Sequence, residues 1–371
     1  MDLRPGMRVG AGLELLRPLG EGSMGSVWEA ARPEGERVAV KFASRHVLKD
    51  PTDRARFSRE ATLANRLESA HVVHGHGFGI AEGGVPYIVM ELLEGETLET
   101  RLRRERVIAP ALLVTIVDQL AEALDEAHAL GIVHRDLKPA NLFLVDGHEG
   151  VFVKVLDFGM AKRTMAVNPT VVTEIGTSVG TPDYMSPEQV RSEKDIDHRS
   201  DIFSLGVLAY RALMGRLPFV SSTFAGLCVA ICESRFVPPS ELAPNFTAAL
   251  DTWMKRALAV ARDERFASAG EAADALAVAL ELRDPARPRF PSRASAAELR
   301  DELSADGLGF EELGDGELSH DELSHDGLRH DPFGEALAPP RRTGPLDVAL
   351  AVFVSLAAFF LGALLASVDG F

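Results

Sequence analysis

Apolar residues follow two different periods along this chain. Short apolar runs bounded by glycine and polar residues predict β-strands at 13–16, 27–30, 37–41 and 87–90. From Pro110 to Leu130 apolar residues recur at helical spacing, and proline suits the first turn of such a helix. Helical patterns then continue to about Arg283. We therefore predict an α+β fold, with a β-rich part followed by a mainly helical part.

A glycine-rich turn joins the first two predicted strands, Gly20-Glu21-Gly22-Ser23-Met24-Gly25-Ser26-Val27. Dinucleotide-binding folds use the same glycine spacing, but in those folds a helix follows the glycines. Here a strand follows, so the pattern predicts a hairpin. Because glycine has no Cβ, the backbone of this hairpin could approach phosphate groups closely.

Two charged residues of the β-rich part are candidates for an ion pair. Lys41 ends the strand at 37–41, and Glu60 lies nineteen residues later in a predicted helix at 54–67. An isolated lysine on a strand is most often a solvated edge charge. A glutamate on a neighbouring helix could instead aim the lysine ammonium at nucleotide phosphates.

One short loop carries most of the candidate chemistry. It reads His134-Arg135-Asp136-Leu137-Lys138-Pro139-Ala140-Asn141, and Asp157-Phe158-Gly159 follows it after a predicted hairpin. Phosphoryl transfer needs a group that orients the attacking hydroxyl, oxygen ligands for Mg²⁺ and a cation near the transferring phosphate. The hairpin would bring Asn141 and Asp157, two candidate metal ligands, close together.

Taken in order, these strings resemble those of the serine/threonine protein kinase family, and most of all its bacterial, Hanks-type membrane kinases. The resemblance covers residues 13–283. It implies a two-lobed kinase fold, with a β-rich small lobe at 13–90 and a mainly helical large lobe at 95–283. It also implies ATP and Mg²⁺ as cofactors and proteins bearing Ser or Thr as substrates.

The resemblance assigns a role to each matching residue. Asp136 would orient or accept the proton of the substrate hydroxyl. Lys138 would neutralise the γ-phosphate, and its place in Asp-Leu-Lys favours Ser/Thr over Tyr substrates. Asn141 and Asp157 would ligate Mg²⁺. The ATP site would comprise Gly20, Glu21, Gly22, Ser23, Gly25, Val27, Ala39, Lys41, Glu60, Met90, Glu91 and Leu93.

The segment 160–184 has little apolar periodicity and falls where the family has its activation segment. The resemblance implies that Thr181 helps to form the acceptor site. Arg135 precedes the catalytic aspartate, and a cationic site there would be ordered by a phosphate. We therefore expect autophosphorylation to activate the enzyme. The first candidates are Thr173 and Thr177, and further ones are Thr164, Thr170 and Ser178.

Two positions near the end of this segment complete the comparison with the family. Ser186 stands where the family usually has alanine before Pro187-Glu188, a small change. The resemblance also implies that Arg265 pairs with Glu188. Since no catalytic position is missing, an inactive homologue is not expected.

The net charge of −16 is concentrated after the kinase-like region. From Glu298 to Glu335 there are thirteen acidic and two basic residues, a local charge of −11. The rest is only mildly acidic, which argues against nucleic acid as a partner. Residues 284–345 are predicted to be a disordered linker that contains acidic pentads at 301–335, with an apolar residue every fifth position. A pentapeptide solenoid is the alternative, but it would bury a column of like charges.

A last apolar stretch predicts one transmembrane helix at 346–368. Val348 to Val368 is twenty-one residues without a charge, and at ~1.5 Å per residue it spans about 32 Å, enough for a bilayer core. Two preceding arginines predict a kinase domain on the cytoplasmic side of the cell membrane. Small residues spaced by four permit a homodimer. The alternative to an active membrane kinase is a membrane-anchored adaptor that uses the kinase fold without catalysis.

Overall fold

The computed structural model describes residues 3–10, 12–22, 25–44, 67–147, 150–157 and 182–290. All of them belong to one compact unit that covers Met1–Gly309. Several predicted sites and segments lie outside the described residues: Ser23, Glu60, Thr164, Thr170, Thr173, Thr177, Ser178, Thr181, the linker from 291 onward and the predicted span at 346–368.

Antiparallel strands form two sheets in this part of the chain. The larger sheet has the strand order β1-β2-β3-β4-β6-β5, and the smaller one has the order β7-β8-β9. The strands are β1 Arg8–Val9, β2 Leu13–Gly22, β3 Gly25–Ala31, β4 Arg37–Ala43, β5 Gly75–Ala81, β6 Val85–Glu91, β7 Gly95–Thr97, β8 Leu142–Gly147 and β9 Gly150–Val155. The strands predicted at 13–16, 27–30, 37–41 and 87–90 are thereby confirmed.

The described helices follow the larger sheet along the chain, as the change of apolar period predicted. The described α-helices are α1 Leu98–Glu105, α2 Pro110–Ala129, α3 Pro187–Val190, α4 Arg199–Met214, α5 Phe224–Cys232, α6 Pro239–Leu242, α7 Ala248–Ala257 and α8 Ala269–Ala279. Short 3₁₀ turns occupy Pro139–Asn141, Pro182–Tyr184 and Arg262–Glu264. Helix α4 is buried on nearly all sides, which its continuous apolar character predicted.

The larger sheet has one packing face and one face that carries predicted ATP-site residues. Val40, with the residues two positions before and after it on β4, is buried in the hydrophobic cluster of the small lobe. Side chains alternate along a strand, so Ala39 and Lys41 lie on the other face. Val27 pairs with Lys41, and Met90 pairs with Ala39. These four residues therefore share one face of the sheet.

The glycine-rich turn is the hairpin between β2 and β3, where Gly22 pairs with Gly25. Gly25 has a φ of 145°, and a Cβ there would lie 1.7 Å from the carbonyl oxygen of Phe42. A side chain would thus collide with the backbone of β4 while straining its own. Close packing between neighbouring strands accounts for the glycine at this position.

The described fold continues beyond residue 283 to Phe290. The Arg283 guanidinium forms ion pairs with Asp118 on α2 and Asp274 on α8. The Asp274 carboxylate also accepts the backbone N–H of Phe290 at 2.8 Å. The Phe290 ring packs so closely on Gly270 that a Cβ there would lie 2.7 Å from it. Residues 283–290 therefore pack against α2 and α8 and belong to the large lobe.

Among the helices of the described ranges, none is both long and apolar enough to cross a bilayer.

Candidate active site

The predicted catalytic loop is anchored by Asp201, in the first turn of α4. Asp201 is fully buried. Its carboxylate accepts the backbone N–H groups of His134 and Arg135, both at 2.8 Å. His128, at the end of α2, lies 2.8 Å from the same carboxylate through Nε2. Arg135 has a φ of 62°, so the loop is held in a left-handed turn that non-glycine residues rarely adopt.

The Asp201 carboxyl stays ionised at neutral pH. Complete burial would by itself raise its pKa. The hydrogen bond and charge of His128, the charge of His134 and the N–H of Arg135 outweigh burial and hold the pKa below its ordinary value. A buried carboxylate that accepts several backbone N–H groups is a rigid anchor, because each donor it loses would leave a buried charge less compensated.

Asp136, Lys138 and Asn141 converge within this loop. The Lys138 ammonium lies 2.8 Å from Oδ2 of Asp136. The Asn141 side-chain amide donates to the backbone carbonyl of Asp136 at 2.8 Å. Asp136 and Lys138 keep part of their side chains exposed, so both groups can meet a substrate.

The hairpin β8–β9 brings Asn141 and Asp157 together, as the sequence predicted. The backbone N–H of Leu156 donates to the Asn141 carbonyl at 2.8 Å, and Asp157 is the next residue. Asp157 has a φ of 49°. Its Oδ1 lies 2.6 Å from Nζ of Lys41, whose side chain is only 6% exposed. The strand lysine is therefore a buried partner of the second carboxylate and not a solvated edge charge.

The donor set around Asn141 and Asp157 fits a hard divalent cation such as Mg²⁺. Both side chains offer oxygen atoms, which this class of metal prefers. The amide nitrogen of Asn141 donates to the Asp136 carbonyl, and this hydrogen bond fixes the orientation of the amide. Oδ1 is therefore the atom that could act as a metal ligand. Together with Lys41, the two residues could hold a metal–phosphate group.

Glu91, the last residue of β6, has a side chain that is engaged with two other segments of the protein. The Glu91 carboxylate forms an ion pair with Lys154 on β9 at 2.6 Å and accepts the backbone N–H of His74 at 2.7 Å. This arrangement ties the small lobe to the hairpin of the large lobe. The Glu91 N–H also donates to the His74 carbonyl at 3.0 Å, so the backbone N–H groups that could meet an adenine are those of the following residues, up to Leu93.

The remaining predicted ATP-site residues lie on the glycine hairpin. Gly20 pairs with Val27, and Glu21 pairs with Ser26, on β2 and β3. Gly20 has no atom within 4 Å of the place where a Cβ would lie, so this backbone is open to a ligand. Val27 pairs in turn with Lys41. The hairpin, Val27 and the buried lysine are thus adjacent.

The expected pair of Glu188 and Arg265 is present and buried. Two parallel hydrogen bonds of 2.7 and 2.8 Å join the guanidinium to the carboxylate, and Ser200 on α4 donates to the same carboxylate. Burial alone would raise the pKa of Glu188, but Arg265 outweighs it and holds the pKa below its ordinary value. Removing one partner of such a pair typically costs about 3–5 kcal/mol.

Ser186, which stands where alanine is usual in the family, adds a side-chain hydrogen bond to a backbone one. Its backbone N–H and its hydroxyl both donate to Oε1 of Gln189, at 3.0 and 3.2 Å. The amide nitrogen of Gln189 then donates to the Arg135 carbonyl at 2.7 Å. The start of α3 is thereby linked to the catalytic loop.

Sequence reasoning missed three residues that position this loop, namely Asp201, His128 and Gln189. Asp201 did leave a signal, because it is the one carboxylate in a helix that is apolar nearly all round. Unpaired buried charge is costly, so such a residue implies partners. The identity of those partners depends on contacts between segments far apart in sequence, and no local pattern encodes them.

The protein kinase domain family matches residues 13–275, which is more than half of the chain. The chain therefore belongs to the protein kinase family.

The relatives are bacterial serine/threonine protein kinases. The chain is 40% identical over 297 residues to Serine/threonine-protein kinase Pkn1 of Myxococcus xanthus, covering 79% of this chain and 42% of that protein. It is 36% identical over 285 residues to Serine/threonine-protein kinase PknH of Mycobacterium tuberculosis, covering 76% and 44%. The chain thus spans less than half the length of these two relatives.

A crystal structure of the Mycobacterium tuberculosis PknI kinase domain has the same fold. It superposes with a TM-score of 0.61 at 28% identity, over 76% of this chain and 100% of that domain. The two-lobed kinase fold that the sequence predicted is confirmed. Members of the family use ATP and a divalent metal.

We predict that Asp201→Asn lowers kcat for phosphoryl transfer by about 10²-fold, because misplacing a catalytic group by about 1 Å has an effect of that size. An asparagine keeps one acceptor oxygen and turns an NH₂ group toward a backbone N–H. Initial rates per folded protein, with folding checked by circular dichroism, would measure the effect. Asp251→Asn is the matched control, since Asp251 also accepts a backbone N–H, from Ser240 at 3.0 Å. An unchanged kcat in folded Asp201→Asn would contradict the prediction.

Proposed function

We propose that this protein is an ATP-dependent kinase that transfers the γ-phosphate to Ser and Thr hydroxyls of proteins. The observation that carries the proposal is the convergence of Asp136, Lys138 and Asn141, next to the buried pair of Lys41 and Asp157. The family membership and the named activities of the relatives support it.

The residues divide the work of in-line transfer. Asp136 orients the substrate hydroxyl and takes its proton as the oxygen attacks the γ-phosphorus. The bond from the γ-phosphorus to the β-γ bridging oxygen breaks, and ADP leaves. Lys138, within 2.8 Å of Asp136, faces the negative charge on the transferring group. Lys41 holds the α- and β-phosphates. Asn141 and Asp157 would hold Mg²⁺, which would neutralise phosphate charge when bound.

We predict that Asp136→Asn in the full-length chain lowers the transfer rate by about 10²–10⁴-fold, the usual contribution of a positioned general base. The measurement is transfer of labelled phosphate from ATP, with Mg²⁺, to a generic Ser/Thr acceptor protein. Asp263→Asn, at an exposed site in a 3₁₀ turn, is the matched control. Equal, background-level transfer by the wild type and Asp136→Asn would favour the non-catalytic adaptor instead.

We further propose that phosphorylation of Thr173 and Thr177 activates the enzyme. Arg135 supports this proposal, because it directly precedes the catalytic aspartate. Its backbone is in a left-handed conformation and donates its N–H to Asp201. A phosphate would give its guanidinium an anionic partner and add charge-assisted hydrogen bonds.

The double variant Thr173→Ala/Thr177→Ala should lose at least about tenfold in activity, since one hydrogen bond to a charged group contributes about 1.5–3 kcal/mol. Activity after preincubation with ATP and Mg²⁺ is the measurement. Thr115→Ala/Thr252→Ala removes two exposed helical threonines and serves as the control. Full activity of the Thr173/Thr177 variant would refute the proposal.

We also propose that residues 346–368 anchor the protein in the cell membrane, with the kinase domain in the cytoplasm. The uncharged stretch from Val348 to Val368 and the preceding Arg341 and Arg342 support this topology.

Deleting residues 346–371 should move the protein from the membrane fraction to the soluble fraction. An alkaline carbonate wash of membranes, followed by immunoblotting of both fractions, would measure this. Deleting the acidic pentads at 301–335 is the control, because it leaves the apolar stretch intact. Extraction of the full-length chain by the wash would rule out a transmembrane anchor.

A further inference from the structure

The segment from Arg283 to Phe290, which we call the strap, lies beyond the part of the chain that matches the kinase family. Its Arg289 guanidinium is held by two carboxylates of α2, those of Glu122 and Asp118. Asp118 is only 3% exposed and also forms an ion pair with Arg283. Residues four apart are neighbours on a helix, so the strap brings two guanidinium groups to one face of α2. The family match does not include these contacts.

The Glu122 carboxylate joins the strap to the segment that precedes β5. Its Oε1 binds Arg289, and its Oε2 lies 3.4 Å from Nε2 of His71. One turn further along the same face of α2, the Glu126 carboxylate accepts the N–H of Glu68 at 2.6 Å. One face of α2 therefore holds both the strap and the segment that carries His71.

His71 connects this segment to strand β9. The residue is buried, and its Nδ1 lies 2.9 Å from the carbonyl oxygen of Val153. A carbonyl oxygen can only accept, so Nδ1 carries the proton in this hydrogen bond. The His71 carbonyl accepts the N–H of Val155 at 2.7 Å, and the Val155 carbonyl accepts the N–H of Val73 at 3.1 Å. Three hydrogen bonds thus fix β9 against the segment.

Strand β9 leads directly to a predicted metal ligand. Val155 is its last residue, and Asp157 follows two residues later. Consecutive Cα atoms are about 3.8 Å apart, so a displacement of Val155 moves the Asp157 carboxylate as well. Small displacements matter at such a site, because a misplacement of about 1 Å can change a rate by about 10²-fold.

We propose that Arg289, acting through Glu122 and His71, is a positioning residue for the Asp157 carboxylate. This role rests on the metal site proposed above. Arg289 holds Oε1 of Glu122 and thereby keeps Oε2 directed toward His71. Without Arg289 the Glu122 side chain, already 37% exposed, turns toward water, and Nε2 of His71 loses the carboxylate that faces it. Strand β9 is then held less firmly where it leads to Asp157.

Arg289 can be replaced with little damage to the fold. Its side chain is 47% exposed, whereas His71 is buried, so a substitution of His71 would also disturb packing. Arg287 is the matched control, because it is an exposed arginine of the same strap that forms no ion pair with the described residues. Arg289→Ala and Arg287→Ala remove the same atoms and differ in the contacts with α2.

The first test is hydrogen exchange, measured by mass spectrometry on the full-length chain. In Arg289→Ala we expect about two- to fivefold faster exchange in peptides that cover 71–73 and 153–156, the factor by which partly exposed ion pairs stabilise local structure. Arg287→Ala should exchange like the wild type. Unchanged exchange of both segments in Arg289→Ala would overturn the proposal.

The second test measures metal binding without turnover. Mn²⁺ is titrated into the full-length chain with a non-hydrolysable ATP analogue, and free Mn²⁺ is followed by electron paramagnetic resonance. We expect the Kd for Mn²⁺ to rise about two- to fivefold in Arg289→Ala, to stay unchanged in Arg287→Ala and to return toward the wild-type value in Arg289→Lys. A partly unfolded preparation would bind less Mn²⁺ at saturation without a change in Kd. A wild-type Kd in Arg289→Ala would refute the positioning role.

A double-mutant cycle tests the route through Glu122. If Arg289 acts through this carboxylate, Glu122→Gln should raise the Kd for Mn²⁺ by itself, and adding Arg289→Ala should change it little further. Fully additive effects of the two substitutions would overturn the route.

The wild type distinguishes failure of this inference from failure of the proposed function. If the wild type binds Mn²⁺ with the analogue and Arg289→Ala binds it equally well, the role of Arg289 is refuted and the metal site stands. If the wild type binds no Mn²⁺, the proposed metal site fails and the positioning role fails with it.

Discussion

Asp201 buries a negative charge in the middle of the large lobe, and hydrogen-bond donors from two other segments converge on it. Its desolvation costs several kcal/mol, which the N–H groups of His134 and Arg135 and the imidazole of His128 offset. The catalytic loop can therefore shift only by leaving a buried carboxylate with fewer donors. This constraint holds Asp136 in position before any substrate binds.

Ser200, next to Asp201 on α4, helps to hold the segment that carries Glu188 and Gln189. Ser200 donates to Glu188, which is held by Arg265, and Gln189 in the same short helix reaches the Arg135 carbonyl. Two consecutive residues of α4 thus fix the catalytic loop and the end of the activation segment relative to each other.

Local sequence patterns predicted what depends on neighbouring residues. Short apolar runs predicted the strands of the small lobe, and the glycine hairpin followed from the spacing of its glycines. The pair of Glu188 and Arg265 was expected only from the family resemblance, and it is present in the structure. The partner of Lys41 that the structure describes, Asp157, is more than a hundred residues away. Such a pair, like the donors to Asp201, is set by how two lobes or two helices pack. Periodicity records which side of an element is buried, but not what it meets there.

Overall charge obscures how charge is arranged in this protein. Of the net −16, the stretch from Glu298 to Glu335 holds −11, so the rest of the chain carries only −5. At physiological ionic strength the screening length is about 8 Å, so the repulsion between an acidic tail and a mildly acidic domain fades beyond contact range.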